Sequence, residues 1–411
     1  MPGLARLRRA DSWRAVVAAW VVTRVLLLAA PGWSGYPHHV AVTGDVRLYT
    51  RWASILLSGH FPLGDPTWQY PPGAAAVLLL PGLSPLRYYP SFVLFALIAD
   101  ALMLAVLLRC AVGGSRAGAW LWILGTTALG PIVLNRFDTA PTLLAVGGLA
   151  LVTRSRIGVP SAAAGRSFLA GALLGLGAAV KVWPVLLLPL IPRRARAAAG
   201  TITVGVAIVV GLAAVGRLGE GLDFRYNQQA RGLQVETVAA TPYLLARAFG
   251  ASGIRVVREF GAYQVHAPGA SAMVTLTTAA SALVVLAFLA LAWRRPGNID
   301  LGLAGLLAVL LSARVLSPQY LVWALGLAAL ALTDPASRHR RTACWLVLAC
   351  ALTQWLYPIW YVGLVHGAVG STLLLAVRNA VLLVAGAVAL RAALRSPTRS
   401  PAGALPAALR E

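Results

Sequence analysis

Acidic residues are scarce in this chain: 12 Asp and Glu stand against 35 Lys and Arg in 411 residues, and lysine occurs once, as Lys181. Charged residues of both signs make up 11% of the sequence while hydrophobic ones make up 59%, more apolar surface than a soluble domain of this length can bury. The three cysteines, Cys110, Cys344 and Cys350, provide neither a disulfide framework nor a cysteine metal site. No D-x-D, P-loop, G-x-S-x-G or H-E-x-x-H pattern occurs, which argues against an ATP-driven enzyme and against a soluble-type nucleotide-sugar site. His38, His39 and His60 share one loop, but their spacing matches no standard metal geometry, so neither a metal nor a cofactor is expected.

What fills the chain instead is apolar sequence, with a mean hydropathy of +0.76. Repeated apolar runs long enough to cross a bilayer define an all-α polytopic membrane protein. The net charge of +23 is read as positive-inside topology rather than as an affinity for nucleic acid. Arginine clusters mark the cytoplasmic side at Arg6 to Arg14, Arg109 and Arg116, Arg154 to Arg166, Arg193 to Arg196, Arg294 and Arg295, Arg338 to Arg341, and from Arg391 onward. Fitting spans between them predicts helices at 13–31, 88–109, 117–135, 139–153, 168–181, 183–193, 197–216, 271–293, 300–316, 319–333, 343–363 and 371–390. That is a bundle of about 12 transmembrane helices with both termini inside and a first span that is not cleaved. The runs 168–181 and 183–193 are short and read as half-spans screened from lipid. Residues 1–394 then form one transmembrane domain with outside loops at 32–87 and 217–270, the run at 71–85 lying outside as a re-entrant or surface helix. The segment 395–411 reads as a disordered cytoplasmic tail.

This layout gathers four polar clusters on one face: Asp45 with its arginines, NRFD at 135–138, AAVKVWP at 178–184 and RVLSPQY at 314–320. Asp45 opens an amphipathic pattern in which Leu48, Tyr49, Trp52, Ile55 and Leu56 share its face while Arg47 and Arg51 lie on another. A helix of that kind rests in the membrane interface with its aromatics at headgroup depth. Asp45 itself reads either as the N-cap of that helix or as a general base. Arg136 either pairs locally with Asp138 or holds a phosphate oxygen with its planar fork. Lys181, the one lysine, is either a snorkelling helix end or a phosphate clamp. Pro318 breaks the helix beside Arg314, Gln319 and Tyr320, and Tyr70 in WQYPPG stands before two prolines at the interface. Asp100 falls inside a span, where Arg24 or Arg378 is the available partner.

Blocks of this sequence resemble glycosyltransferase family 87 of the GT-C superfamily: GDVRLYTRWASILLSGHFPLGDPTWQYPPGAAAVLLLP from Gly44, NRFDTAPTLLAVGGLAL, GALLGLGAAVKVWPVLLLPLIP, RGLQVET and SPQYLVWALGL. They follow the order expected of that family from about residue 44 to 330. The resemblance implies a GT-C-like helical bundle with interfacial helices in the first outside loop. It also implies transfer of a hexose, most naturally mannose, from a polyprenyl-phosphate donor to a lipid-linked or glycan acceptor outside the cytoplasmic membrane, with inversion. An acidic residue in the first outside loop is essential in such enzymes, and it maps onto Asp45. Lys181, Arg136 and Arg314 are then expected at the donor phosphate, and Tyr49, Tyr70, Asp138, Gln319, Tyr320 and Arg47 among the substrate contacts. The competing expectations are a transporter or lipid flippase working through Asp100, a GT-C relative using arabinofuranose or glucose, and a non-catalytic partner in envelope assembly.

Overall fold

Apolar runs fold as helices because backbone donors and acceptors in hydrocarbon must be satisfied within the chain. The computed structural model describes residues 12–32, 39–111, 115–153 and 160–395. Arg6, Arg8, Arg9 and His38 lie outside these residues, as does the expected tail, except for Arg395, which ends a helix. The helices are α1 (Trp13–Ala29), α2 (His39–Leu57), α3 (Ala74–Gly82), α4 (Tyr88–Cys110), α5 (Ala117–Leu129), α6 (Thr139–Thr153), α7 (Pro160–Val180) and α8 (Arg194–Ala214). A loop region follows with α9 (Leu218–Leu222), α10 (Phe224–Ala230), β1 (Leu233–Gln234), α11 (Thr241–Ala248), β2 (Arg255–Glu259) and β3 (Ala262–His266). The chain closes with α12 (Ala270–Arg294), α13 (Ile299–Ser312), α14 (Leu321–Leu332), α15 (Arg340–Gln354), α16 (Tyr361–His366) and α17 (Val369–Arg395).

Among the described residues, seven helices are long and apolar enough to cross a membrane: α1, α4, α7, α8, α12, α15 with its extension to Ile359, and α17. The chain is a multi-pass membrane protein. Four further apolar helices, α5, α6, α13 and α14, are shorter, at 10–17 residues. A helix of 15 residues rises only about 22 Å, less than the hydrocarbon core, so such helices need protein around them. All 12 residues of α14 are buried. In α8, by contrast, only Ala197 and Gly200 are buried, and Ile202, Val206, Val209 and Val210 are exposed. In this composition an exposed apolar stripe is a lipid-facing one.

Two expected half-spans resolve differently from each other. The segment placed at 168–181 begins earlier, at Pro160, and makes a full 21-residue helix, because proline suits the first helical position and the three alanines that follow are strong helix formers. The segment 183–193 is instead a 3-10 run, Trp183–Leu190, bounded and interrupted by Pro184 and Pro189. α7 and α8 pack backbone to backbone, since a Cβ on Gly171 would collide with the Ala197 backbone, the small-residue contact that lipid favours. The expected span 343–363 also breaks: Pro358 ends regular helix and Tyr357 is extended at φ −125° and ψ 117°.

The two long loops form one assembly. Asn227 donates to the carbonyls of Asp65 and Trp68 at 3.1 and 2.8 Å, and Gln228 to the carbonyl of Gln69 at 2.7 Å. Gln69 in turn donates to the Phe260 carbonyl at 2.8 Å, in the turn between β2 and β3. β1, β2 and β3 form an antiparallel sheet in the order β1-β3-β2. At other helix ends arginines meet: Arg194 bonds to the Trp293 carbonyl, and Arg295 reaches the carbonyls of Ala393 and Leu394 at 3.4 Å.

Asp100, in mid-span, pairs with Arg24: the guanidinium makes two bonds to the carboxylate at 2.7 and 2.8 Å. Trp20 and Trp122 donate to the same carboxylate at 2.5 and 2.7 Å, and Arg24 also donates to Thr126 at 2.7 Å. Both ionic side chains are at most 3% exposed. This is a closed, fully bonded pair that ties α1 to α4 and α5. Arg378, the other candidate partner, lies elsewhere, donating to the Glu236 carbonyl at 3.2 Å.

Because the pair is buried, removing one member strands the other charge. Asp100→Ala is expected to lower unfolding stability by about 3 kcal/mol, while the double variant Arg24→Leu/Asp100→Leu recovers most of that loss. Thermal or denaturant unfolding of the purified protein in one detergent checks both, and a double variant no better than the single would contradict the structural role.

Candidate active site

The expectation that Asp45 caps its helix is not met. α2 begins at His39, six residues earlier, so Asp45 sits in its second turn and its carboxylate is free for other partners. Tertiary packing carries the helix through Val40, Val42 and Gly44 despite their weak propensity: Val42 and Val46 are at most 1% exposed. The aromatic face is turned into the protein. Tyr49 and Trp52 are fully buried against Phe92, Phe137, Trp68 and Tyr70. The exposed face carries Arg47, Thr50, Arg51 and Ser54. Arg51 bonds Asp65 at 2.5 Å and Trp52 donates to the same carboxylate at 2.9 Å, which fastens α2 to the loop that follows. Arg47 lies on this exposed face, on the side of α2 opposite the buried rings.

Asp45 pairs with Arg136 at 2.8 Å. The arginine side chain is 5% exposed, but that of Asp45 remains 42% exposed, so one wall of the pair is open. Arg136 is held from behind by the carbonyls of Val42 and Asn135, at 3.1 and 3.0 Å, and by the Tyr357 hydroxyl at 3.3 Å. Its Nε has no partner. Tyr357 reaches it because the chain breaks at Pro358; the sequence signal was a YP step inside an apolar run, of the same kind as in WQYPPG.

NRFD therefore does not close on itself. Arg136 goes to Asp45, and Asp138 goes to Lys181, whose Nζ donates to Oδ1 at 2.7 Å. Phe137 lies between them and packs on Tyr49 and Tyr70 at centroid distances of 5.4 and 5.0 Å. The Lys181 ammonium also sits 4.9–5.4 Å from the rings of Tyr70, Phe137, Tyr320 and Trp323. Each such contact is worth about 1–2 kcal/mol when desolvated. A compact ammonium presents its charge to all four rings at once, a geometry suited to the one lysine of the chain. Trp323 Nε1 donates to Asp138 Oδ1 at 2.8 Å, while Oδ2 is buried without a partner. Burial, only partly offset by Lys181, pushes the Tyr70 hydroxyl up to about 12, so it stays a neutral donor.

The loop of Tyr70 is pressed against α7: a Cβ on Gly73 would come within 2.7 Å of the Ala179 backbone, two residues before Lys181. Gln319 is buried in the 3-10 turn Pro318–Tyr320, and Tyr320 stacks on Trp323 with centroids 4.1 Å apart. Thus Asp45, Arg136, Asp138, Lys181, Tyr49, Tyr70 and Tyr320 come together. Arg314 does not join them. It donates to the carbonyls of Gln228 and Gln229 at 3.0 and 3.4 Å and lines a different cavity.

One acidic residue went unremarked in the sequence. Glu236, in RGLQVET, is 1% exposed, its Oε2 has no partner, and it lies near Tyr361, Arg378 and Arg136. Burial pushes its carboxyl up to about 7, the Arg378 guanidinium and Tyr361 hydroxyl pulling the other way. No periodicity could have found it, because β1 and α17 place it. Among the described residues no group of His, Cys, Asp and Glu is arranged to hold a metal ion.

The geometry is that of an integral-membrane site with a half-exposed carboxylate, an adjoining buried guanidinium and an aromatic-walled ion pair. The chain belongs to glycosyltransferase family 87, whose family profile matches residues 68–318. It is therefore a membrane glycosyltransferase. The match includes Tyr70, Arg136, Asp138, Lys181 and Arg314; Asp45, Gln319 and Tyr320 lie outside it. No curated protein and no solved structure matches the chain.

Glu236 gives the fold a pH dependence. Its folded pKa of about 7 exceeds the ordinary 4.5, so its favourable contribution is complete below the ordinary value and is lost as pH rises through about 7. Relative to Glu236→Gln, which cannot ionise, the wild type is expected to lose up to about 3 kcal/mol between pH 4.5 and 8. Unfolding of both proteins across that range reads the difference; parallel curves would refute it.

Proposed function

We propose that the protein transfers a hexose, mannose by resemblance to its family, from a polyprenyl-phosphate donor to a lipid-linked or glycan acceptor, with inversion. The observation that carries this reading is the Asp45–Arg136 pair, with the carboxylate 42% exposed and the guanidinium buried. Asp45 is the general base and Arg136 faces the donor phosphate. The acceptor hydroxyl gives its proton to Asp45 while its oxygen bonds to the anomeric carbon. The bond from that carbon to the phosphate oxygen breaks, and the electron pair leaves on the phosphate. In the resting pair Arg136 occupies a carboxylate oxygen of Asp45. A donor phosphate that draws the guanidinium toward itself frees that oxygen for the acceptor hydroxyl, which couples donor binding to acceptor activation.

Lys181 adds positive potential to the donor side and holds Asp138, whose unpartnered Oδ2 is placed to accept a hydroxyl of the donor sugar. Tyr70 and Tyr320 wall this subsite. A lipid donor has to enter from the bilayer, which fits a site roofed by loops between apolar helices. The topology that suits it places the two long loops outside the cytoplasmic membrane and both termini in the cytoplasm. Seven long helices and four shorter ones supply the crossings, and the 3-10 run at Trp183–Leu190, too short to cross by itself, links α7 to α8.

The test is transfer in vitro from polyprenyl-phosphate sugars, offered one at a time with native lipid acceptors. Asp45→Asn is expected to cost 10²–10⁴-fold in turnover, the usual range for a general base, with donor binding retained. A folded Asn variant with wild-type turnover removes Asp45 from this role. Lys181→Ala is expected to weaken donor use more than acceptor use, read from the two KM values.

A further inference from the structure

A second polar cavity lies apart from the Asp45 centre and shares none of its residues. It has a volume of about 640 Å³, enough for a headgroup rather than a lone ion. Its lining includes Arg231, Arg255 and Arg314 together with Glu259, His266 and Ser271 in the first turn of α12. Arg231 is 7% exposed and its Nε is buried with no partner, and among the described residues no carboxylate pairs with its guanidinium. Arg314 spends two of its bonds on loop carbonyls and likewise has no carboxylate partner among the described residues. Burial and the neighbouring Arg231 charge both push its pKa down, the sign of two cations set close together. The one acidic lining residue, Glu259, is already engaged with His266 at 3.1 Å.

Like charges are not brought together in a folded wall without something to sit between them, and a forked guanidinium pair suits a tetrahedral oxyanion. The N-terminus of the 25-residue span α12 opens on the same cavity and adds its positive end. Since that terminus is where a membrane span begins, the cavity stands at headgroup level.

We propose that the cavity bounded by Arg231, Arg255 and Arg314 binds an oxyanion of the phosphate class that is not the leaving group of the transfer reaction. A leaving phosphate must lie beside Asp45, whereas this anion lies beyond β1, which suits the phosphate of an anionic lipid-anchored substrate or of free phosphate. The assignment stands independently of the role given to Asp45.

The experiment is calorimetric titration of the full-length protein in neutral detergent. The probes are inorganic phosphate and a short-chain phosphatidic acid, with short-chain phosphatidylcholine as the zwitterionic control. Wild type is expected to bind at least one of the two anionic probes in preference to the control. Arg231→Gln should weaken that binding tenfold or more. Arg255→Gln, on an exposed strand position whose substitution leaves the fold intact, should weaken it about threefold. Binding of phosphatidic acid alone assigns the anion to a lipid headgroup, and binding of both assigns it to the phosphate itself. Asp45→Asn should bind as wild type does, which separates this result from the catalytic assignment. Absence of preference for either anionic probe, or affinities unchanged in both arginine variants, overturns the proposal.

Discussion

A charge withdrawn from water into a protein surrounded by lipid has to meet a counter-charge there, and the core of this molecule follows from that constraint. Asp100 meets Arg24, Asp138 meets Lys181 and Asp45 meets Arg136. The three pairs differ in how completely they are enclosed, and the difference sorts structure from chemistry. Arg24–Asp100 is sealed and has every oxygen bonded by tryptophan or arginine. Lys181–Asp138 is sealed but leaves one carboxylate oxygen without a partner. Asp45–Arg136 is open on the carboxylate side. Only a pair with a spare oxygen or an open side can exchange partners when a substrate arrives.

The aromatic side chains of the site are packed into this arrangement rather than spread over the surface. Tyr49, Tyr70, Phe137, Tyr320 and Trp323 are packed around the two site pairs, and Phe137 separates the two charged members of NRFD. Ring–ring contacts of about 0.5–1.5 kcal/mol each beyond simple burial hold this wall together, and its faces hold the Lys181 ammonium in place. The local sequence NRFD thus feeds two pairs rather than one, because its charged residues flank a ring that must be buried.

Much of this was legible in the sequence, and the failures share a physical cause. Span positions, the single lysine, the gathering of Asp45, NRFD, AAVKVWP and SPQY, and the family came from hydropathy, arginine clustering and ordered motifs. Asp45 as an N-cap came from local propensity, which the packing of Val42 and Val46 overrides. The half-span at 168–181 came from ending it at the arginines of the preceding loop, whereas PSAAAG is a good helix start. Tyr357 and Glu236 were invisible because each is delivered by a remote element, a proline break in one case and a two-residue strand in the other. Arg314 was placed by chain order beside SPQY, but its side chain turns toward the loop of Gln228 and Gln229.

The family profile begins at residue 68, so the residue proposed as base lies outside it while its guanidinium partner lies inside. Asp45 meets the matched region through Arg136, and Arg136 is oriented by the backbone of the helix that carries Asp45, through the Val42 carbonyl at 3.1 Å. The dependence is mutual. If α2 were displaced, Arg136 would lose a carbonyl and a carboxylate together and leave a buried, undercompensated cation, a change that costs several kcal/mol. The position of α2 is therefore set in part by the same charge that is proposed to receive the leaving phosphate. A ligand able to satisfy Arg136 in place of Asp45 lowers the cost of moving α2, so donor occupancy and the freedom of the acceptor-side helix are two readings of one electrostatic balance.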